Sequence, residues 1–158
     1  MNKMARYDVV DEGIIDADCS TVFKAYTDEF GGITRLWTPL WESKPRGDDI
    51  IVQKGTVADI MVHYKGTTKF AARVTEFVKD KLFIEEFFEG DFIGTGEWTY
   101  EPFDGKTKVR FRFKVKTNGL LITFAALFID IGKRHSELVQ ELFKAWNRYL
   151  SQSKNSKL

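Results

Sequence analysis

Cysteine occurs once in this chain, at Cys19, which excludes an intrachain disulfide framework and a cysteine zinc site. Histidine occurs only at His63 and His135, with no carboxylate at ligand-like spacing, so no metal site is expected. No Ser–His–Asp arrangement and no phosphate-cradling glycine loop can be read, and no cofactor is expected. Charge of one sign is not in excess. The 24 basic and 23 acidic residues leave +1, so no long-range field draws nucleic acid. The apolar run from Leu120 to Ile131 is broken only by Thr123 and Asp130. It is still too short to cross a bilayer, which needs ~20 apolar residues. The stretch "MNKMARYDVVDEG" lacks the apolar centre of a signal peptide, and a cytoplasmic location is the expectation.

Aromatics are what the chain has in abundance. Fourteen Phe, four Trp and five Tyr among 158 residues suit a bulky core or a pocket for a flat apolar guest. The length predicts one domain over residues 1–158, with the polar tail "SQSKNSKL" frayed.

"YDVVDEGIIDA" reads as a first strand. A helix follows in "DADCSTVFKAYTDEF", with Asp18 or Ser20 as its cap and Gly31 and Gly32 as its stop. "ITRLWTPLWE" predicts a second short helix, ended by Pro39. From Asp49 to Thr117 the pattern is strand after strand. Ala58, Ile60, Val62 and Tyr64 share one face, and Phe70, Ala72 and Val74 alternate with polar residues. "KTKVRFRFKVKT" is the clearest case: Val109, Phe111, Phe113 and Val115 point one way, Lys108 to Lys116 the other. Such a basic row reads as solvation and edge protection. Short turns such as "YKGTT" and "FDGKT" imply antiparallel neighbours and a meander with one buried face. Residues 118–150 read as one long helix to cover that face. Its inward stripe is Phe124, Phe128, Ile131, His135, Leu138, Leu142 and Tyr149. On the same reading Ile122, Ala126 and Ile129 point outward.

This order, a strand, two short helices, about six strands and a long helix, resembles the helix-grip fold of the START/Bet v 1-like (SRPBCC) superfamily. The likeness is strongest to its polyketide cyclase/dehydrase and lipid-transport branch. "IDADCSTVF" resembles the opening pattern, with Ile15, Ala17, Val22 and Phe23 in place, although Asp18 stands where many members have Pro. "GTGEWTYEPFDGKTKVRFRF" resembles the paired late strands. The resemblance covers about Tyr7 to Leu150. It implies an α+β fold in which a curved antiparallel sheet of about seven strands wraps the last helix. A lipocalin-like barrel would not end in so long a helix.

The resemblance also implies a cavity between sheet and helix, and hence a binder or carrier of a hydrophobic small molecule: a lipid, an isoprenoid or a polyketide-like compound. The inward rows nominate its lining. From the first half of the chain come Trp37, Ile60, Val62, Tyr64, Phe70, Ala72 and Val74. From the second half come Trp98, Tyr100, Phe111, Phe113, Phe124, Phe128, Ile131, His135 and Leu138. Trp98 and Tyr100 share a face with Gly94 and Gly96, which suits a bend or room for a ligand.

A polyketide aromatase/cyclase or dehydratase is the enzymatic alternative, with His135 and Glu85 or Glu86 moving protons. In "KLFIEEFFEG" either strand phase sets one of the two glutamates in an apolar row; the other would pair with Arg73 or Arg110. His63, Asp59 and Arg73 belong to the outer face, the latter two as a surface ion pair. A third class is a co-chaperone-like interaction module. The run Leu120–Ile131 would then be a homodimer contact or a transient membrane or protein contact.

Overall fold

Strand β1 (Arg6–Ile15) is followed by helix α1 (Cys19–Phe30) and six more strands: β2 (Trp41–Pro45), β3 (Val57–His63), β4 (Thr67–Val78), β5 (Leu82–Gly90), β6 (Phe92–Phe103) and β7 (Lys106–Thr117). Helices α2 (Leu120–Ala125) and α3 (Ile131–Asn155) complete it. The computed structural model describes residues 6–48 and 51–155. Positions 156–158 of the tail lie outside them. Up to Asn155 the tail continues α3, where fraying was expected, and Lys154 Nζ donates to the Asp16 carbonyl at 3.0 Å.

The sheet order is β1-β7-β6-β5-β4-β3-β2, with every neighbouring pair antiparallel. The strict alternation of β7 therefore marks a strand paired on both sides, not an edge. Its basic row is solvated and holds neighbours: Arg112 grips Asp8 of β1 with two bonds of 2.8 and 3.0 Å. Register shifts between Ala71 and Ala72 and between Val74 and Glu76 bend β4. That bend lets the sheet curl toward α3.

Asp18 caps α1 by accepting the Thr21 N–H at 2.8 Å, and Gly31 ends it. The second short helix is reduced to turns: Leu40 N–H and Trp41 N–H both reach the Trp37 carbonyl, and Trp41 already begins β2.

Helix α3 buries Leu138, Val139, Leu142, Phe143, Trp146 and Leu150. It lies close over β1, where a Cβ on Gly13 would stand 2.4 Å from the Phe143 ring. Any larger residue there would push the helix off the sheet. The expected single helix is broken. After the turns that follow α2, Asp130 Oδ1 accepts the Lys133 N–H at 2.9 Å, the capping bond of a new helix. The break changes the phase of everything before it. Phe124 and Phe128, placed on the inward stripe by a continuous helix, are 63% and 76% exposed. Ile122, Ala126 and Ile129, placed outward, pack against the core instead.

Candidate functional site

Two ends of the space between sheet and α3 differ. At one end the grip is filled. Trp37 stacks on Trp98 at 5.7 Å and 25°, Trp98 on Phe111 at 3.9 Å and 17°, and Trp146 meets Trp37 edge-on at 5.4 Å. Tyr26 packs between Trp98 and Phe83. Glu85 enters this cluster from β5, fully buried, and resolves the ambiguity in "KLFIEEFFEG": Phe83, Glu85 and Phe87 face inward. Glu86 faces out and pairs with Arg73 at 3.4 Å. Tyr26 Oη donates to Glu85 Oε2 at 2.8 Å. Loss of water pushes the Glu85 carboxyl up to about 7, although the Tyr26 bond pulls the other way. Glu85 Oε1, Trp98 Nε1, Tyr100 Oη and Trp146 Nε1 have no hydrogen-bond partner there.

The bare face of Gly96 provides no room for a ligand. A Cβ there would meet Phe87 at 2.8 Å, Phe111 at 3.0 Å and Glu85 Oε1 at 3.1 Å.

At the other end a cavity of about 200 Å³ remains. Its sheet wall is Trp41, Val62, Phe70, Phe92 and Phe113; its helical wall is Ile122, Ala125, Ile129, Ile131, His135 and Leu138. Tyr64, Lys65, Gly66, Thr67, Thr68 and Arg134 complete it. Three contacts join α3 to the β3–β4 turn. Tyr64 Oη donates to Glu137 Oε2 at 3.3 Å, Lys65 Nζ to the same oxygen at 3.2 Å, and Arg134 Nη1 to the Lys65 carbonyl at 3.1 Å. The Tyr64 hydroxyl, a candidate ligand-orienting group, is thus engaged with α3.

His135 lies flat on Phe113, with ring centroids 3.9 Å apart and 13° between planes. Its Nε2 is sealed and makes no hydrogen bond. Burial pushes its pKa down to about 3, so the ring is neutral in ordinary conditions. It contributes a flat, slightly polar wall.

Of the nominated lining residues, Val62, Tyr64, Phe70, Phe113, Ile131, His135 and Leu138 meet at this cavity. Trp37, Ala72, Val74, Trp98, Tyr100 and Phe111 are buried packing residues of the core and do not line it. Ile60 is buried on the same inner face beside Phe70, where it borders a cleft of about 730 Å³ near the end of α1 and not the cavity. That cleft is larger but is more polar, rimmed by Glu42, Lys44, Asp59, Lys69 and Glu89. An apolar guest gains little in such a groove, so the smaller apolar cavity is the better candidate site. Phe124 and Phe128 are corrected to the surface.

His135, Glu85 and Glu86 are not brought together: the first lines the cavity, the second is sunk in the aromatic cluster, and the third is outside. His63 lies on the outer face, 3.2 Å from Glu42 and 3.1 Å from Thr67. Asp59 pairs with Arg46 at 2.7 Å, and Arg73 with Glu86, so the expected Asp59–Arg73 pair does not form. Among the described residues no group of three His, Cys, Asp or Glu is placed to hold a metal ion. No helix among them is long and apolar enough to cross a membrane.

Sequence reasoning missed Trp41, Phe92, Ile122, Ala125 and Ile129 as cavity walls. Asp130 followed by "IGKRHSEL" was the available signal, because an Asp ahead of an amphipathic segment marks a helix start. It also missed Glu29. That buried carboxylate accepts the Leu36 N–H at 2.7 Å and the Thr34 hydroxyl at 3.3 Å, and loss of water raises it to about 7. Glu29 ties down the segment that carries Trp37 into the aromatic cluster.

No family model matches the sequence, and no curated protein matches it significantly. Solved structures do match. The protein TTHA0849 from Thermus thermophilus superimposes with a TM-score of 0.74 at 17% identity, covering 93% of this chain and 99% of that one. The Bet v 1-like allergen Ara h 8.0201 gives 0.67 at 15%, covering 94% and 99%. Major latex-like protein 151 from Panax ginseng gives 0.67 at 8%, covering 91% and 97%. The chain has the helix-grip α+β fold these proteins share, as its opening and late-strand motifs implied.

Proposed function

We propose that the protein binds an apolar small molecule in the cavity between α2, α3 and the β3–β4 end of the sheet. The observation that carries this reading is a cavity with mostly apolar walls next to a core filled by aromatic side chains. The hydrophobic effect supplies the affinity, at ~25 cal/mol per Å² removed from water before association costs. Specificity comes from shape and from the flat His135–Phe113 pair.

The size narrows the guest. A dry cavity of about 150 Å³ admits benzene. The volume of about 200 Å³ here therefore suits one or two rings, or a short branched chain such as a small isoprenoid. Because the three acid/base candidates do not share the cavity, sequestration or transport is favoured over cyclisation.

The test is titration with naphthalene, a two-ring guest of the size the cavity admits, in vesicle-free solution. The wild type should give saturable binding, and Ala125→Phe, which fills the cavity from α2, should weaken it about tenfold or more. Equal binding by the two proteins would remove the cavity as the site.

A further inference from the structure

Several of the polar groups that line the cavity are already engaged with one another or with the rim. Tyr64 Oη and Lys65 Nζ both donate to Glu137, and Arg134 Nη1 donates to the Lys65 carbonyl. Thr67 Oγ1 stands 3.1 Å from His63 Nδ1. His135 is different. Its ring lines the cavity, yet Nε2 is buried with no hydrogen-bond partner. The rings beside it are hydrocarbon: Phe113 lies flat against it, and Phe111 stands 5.4 Å away at 45°. Loss of water alone lowers its pKa to about 3, so no nearby carboxylate holds a second proton on it.

A neutral imidazole carries one N–H and one lone pair. Left unpaired in apolar surroundings each is costly, and buried polar groups in folded proteins are nearly always paired. A phenylalanine at this position would supply the same flat wall and the same stack without that cost. Packing alone therefore does not account for the nitrogens. The stack also leaves the ring a choice of edge. A half-turn about the bond to the ring keeps its plane on Phe113 and exchanges nitrogen for carbon at each edge. A guest with a matching group can thus draw a ring nitrogen toward itself.

The matching group is a hydroxyl. It donates to the lone pair or accepts from the N–H, so it satisfies a neutral imidazole in either tautomer. A carboxylate fits less well, because beside a neutral ring it brings a charge that is far costlier to bury than a hydroxyl.

We propose that the guest is an apolar alcohol or phenol, its hydroxyl hydrogen-bonded to the His135 imidazole and its carbon body held by the cavity walls. This rests on the cavity reading above and adds to it the chemical class of the guest.

The experiment compares naphthalene, 2-naphthol and 2-naphthoate, three probes with the same two rings, by equilibrium dialysis against the full chain at neutral pH. The wild type should bind 2-naphthol about threefold to tenfold more tightly than naphthalene, as one net hydrogen bond provides, and 2-naphthoate most weakly. In His135→Phe the preference for 2-naphthol should vanish or invert, a change of about tenfold in the ratio of the two affinities. The ratio isolates the hydroxyl, because a general loss of packing weakens both probes alike. Should His135→Phe fail to fold, the wild type decides by itself. In isotope-labelled protein, 2-naphthol should shift the ring nitrogen resonances of His135 as a new hydrogen bond does, and naphthalene should not. Naphthalene binding without a preference for 2-naphthol, a preference that His135→Phe retains, or ring nitrogens indifferent to 2-naphthol would each overturn the hydroxyl assignment and leave the cavity reading standing. Tighter binding of 2-naphthoate than of 2-naphthol would overturn it too, in favour of an acid. If no probe binds, or if Ala125→Phe binds them all as the wild type does, the cavity reading falls and the hydroxyl assignment falls with it.

Discussion

The aromatic end and the cavity end are built from the same two elements, the curved sheet and α3, yet one is solid and the other hollow. The difference lies in what the intervening segments insert. Beside α1, Leu36 and Trp37 are fed into the grip, with Glu29 holding their backbone. Beside α2, the inserted side chains are Ile122, Ala125 and Ile129, which are smaller and only half-buried. Three indoles and two phenols fill the end beside α1, and the end beside α2 stays open. Solid core and open cavity are therefore divided along the length of one helix.

The largest effect expected from this division is at the solid end. Trp98 is fully buried and stacks with both Phe111 and Trp37. Trp98→Ala should cost about 3–5 kcal/mol in a urea titration, as large aromatic truncations in cores do. A cost near 1 kcal/mol would mean that the aromatic end collapses easily, and the contrast with the cavity end would fade.

The next effect sets one titratable group at each end against the other. Glu85 has its folded pKa raised from 4.5 to about 7, so the fold favours its protonated form. Its contribution is fully present below pH 4.5 and is lost as pH rises toward 7. His135 has its folded pKa lowered from 6.5 to about 3, so the fold favours the neutral ring. Its contribution is present above pH 6.5 and is lost as pH falls toward 3. Between pH 4.5 and 6.5 the two oppose each other. Glu29, also raised to about 7, acts in the same direction as Glu85. Relative to wild type, Glu85→Gln should gain stability as pH rises across that window, and His135→Phe should gain as pH falls. Each change should be about 3 kcal/mol. Denaturant titrations at several pH values decide it; curves parallel to the wild type would show that neither group is as isolated from water as its surroundings imply.

Much of this architecture was legible in the sequence, for physical reasons that also explain what was not. Alternation in "KTKVRFRFKVKT" leaves only one way to bury Val109, Phe111, Phe113 and Val115, so β7 could be read directly. "KLFIEEFFEG" offers apolar residues in both phases, and only the packing of Phe83 and Phe87 against α1 and β6 decides that Glu85 goes in. The helix break at Asp130 was hidden because an apolar run obeys a helical period in any phase. A one-turn interruption then rotates Ile122 inward and Phe124 outward without changing the composition. The cavity's helical wall depends on that rotation, which is why Ile122 and Ile129 line it in place of Phe124 and Phe128.

The smallest effect separates the two faces of residues 120–129. Ile129 packs against the core and lines the cavity, whereas Phe124 and Phe128 touch little but each other. Ile129→Ser should cost about 1–2 kcal/mol, because it withdraws a half-buried side chain from apolar neighbours. Phe124→Ser and Phe128→Ser should each stay within about 0.5 kcal/mol of wild type, because in free solution those rings have almost nothing to lose. Thermal melts at two protein concentrations read both results. If the phenylalanine variants were destabilised as much as Ile129→Ser, and more so at high concentration, the outer face would be covered in solution by another copy. If they were neutral at every concentration, the apolar ridge would be exposed in the free protein.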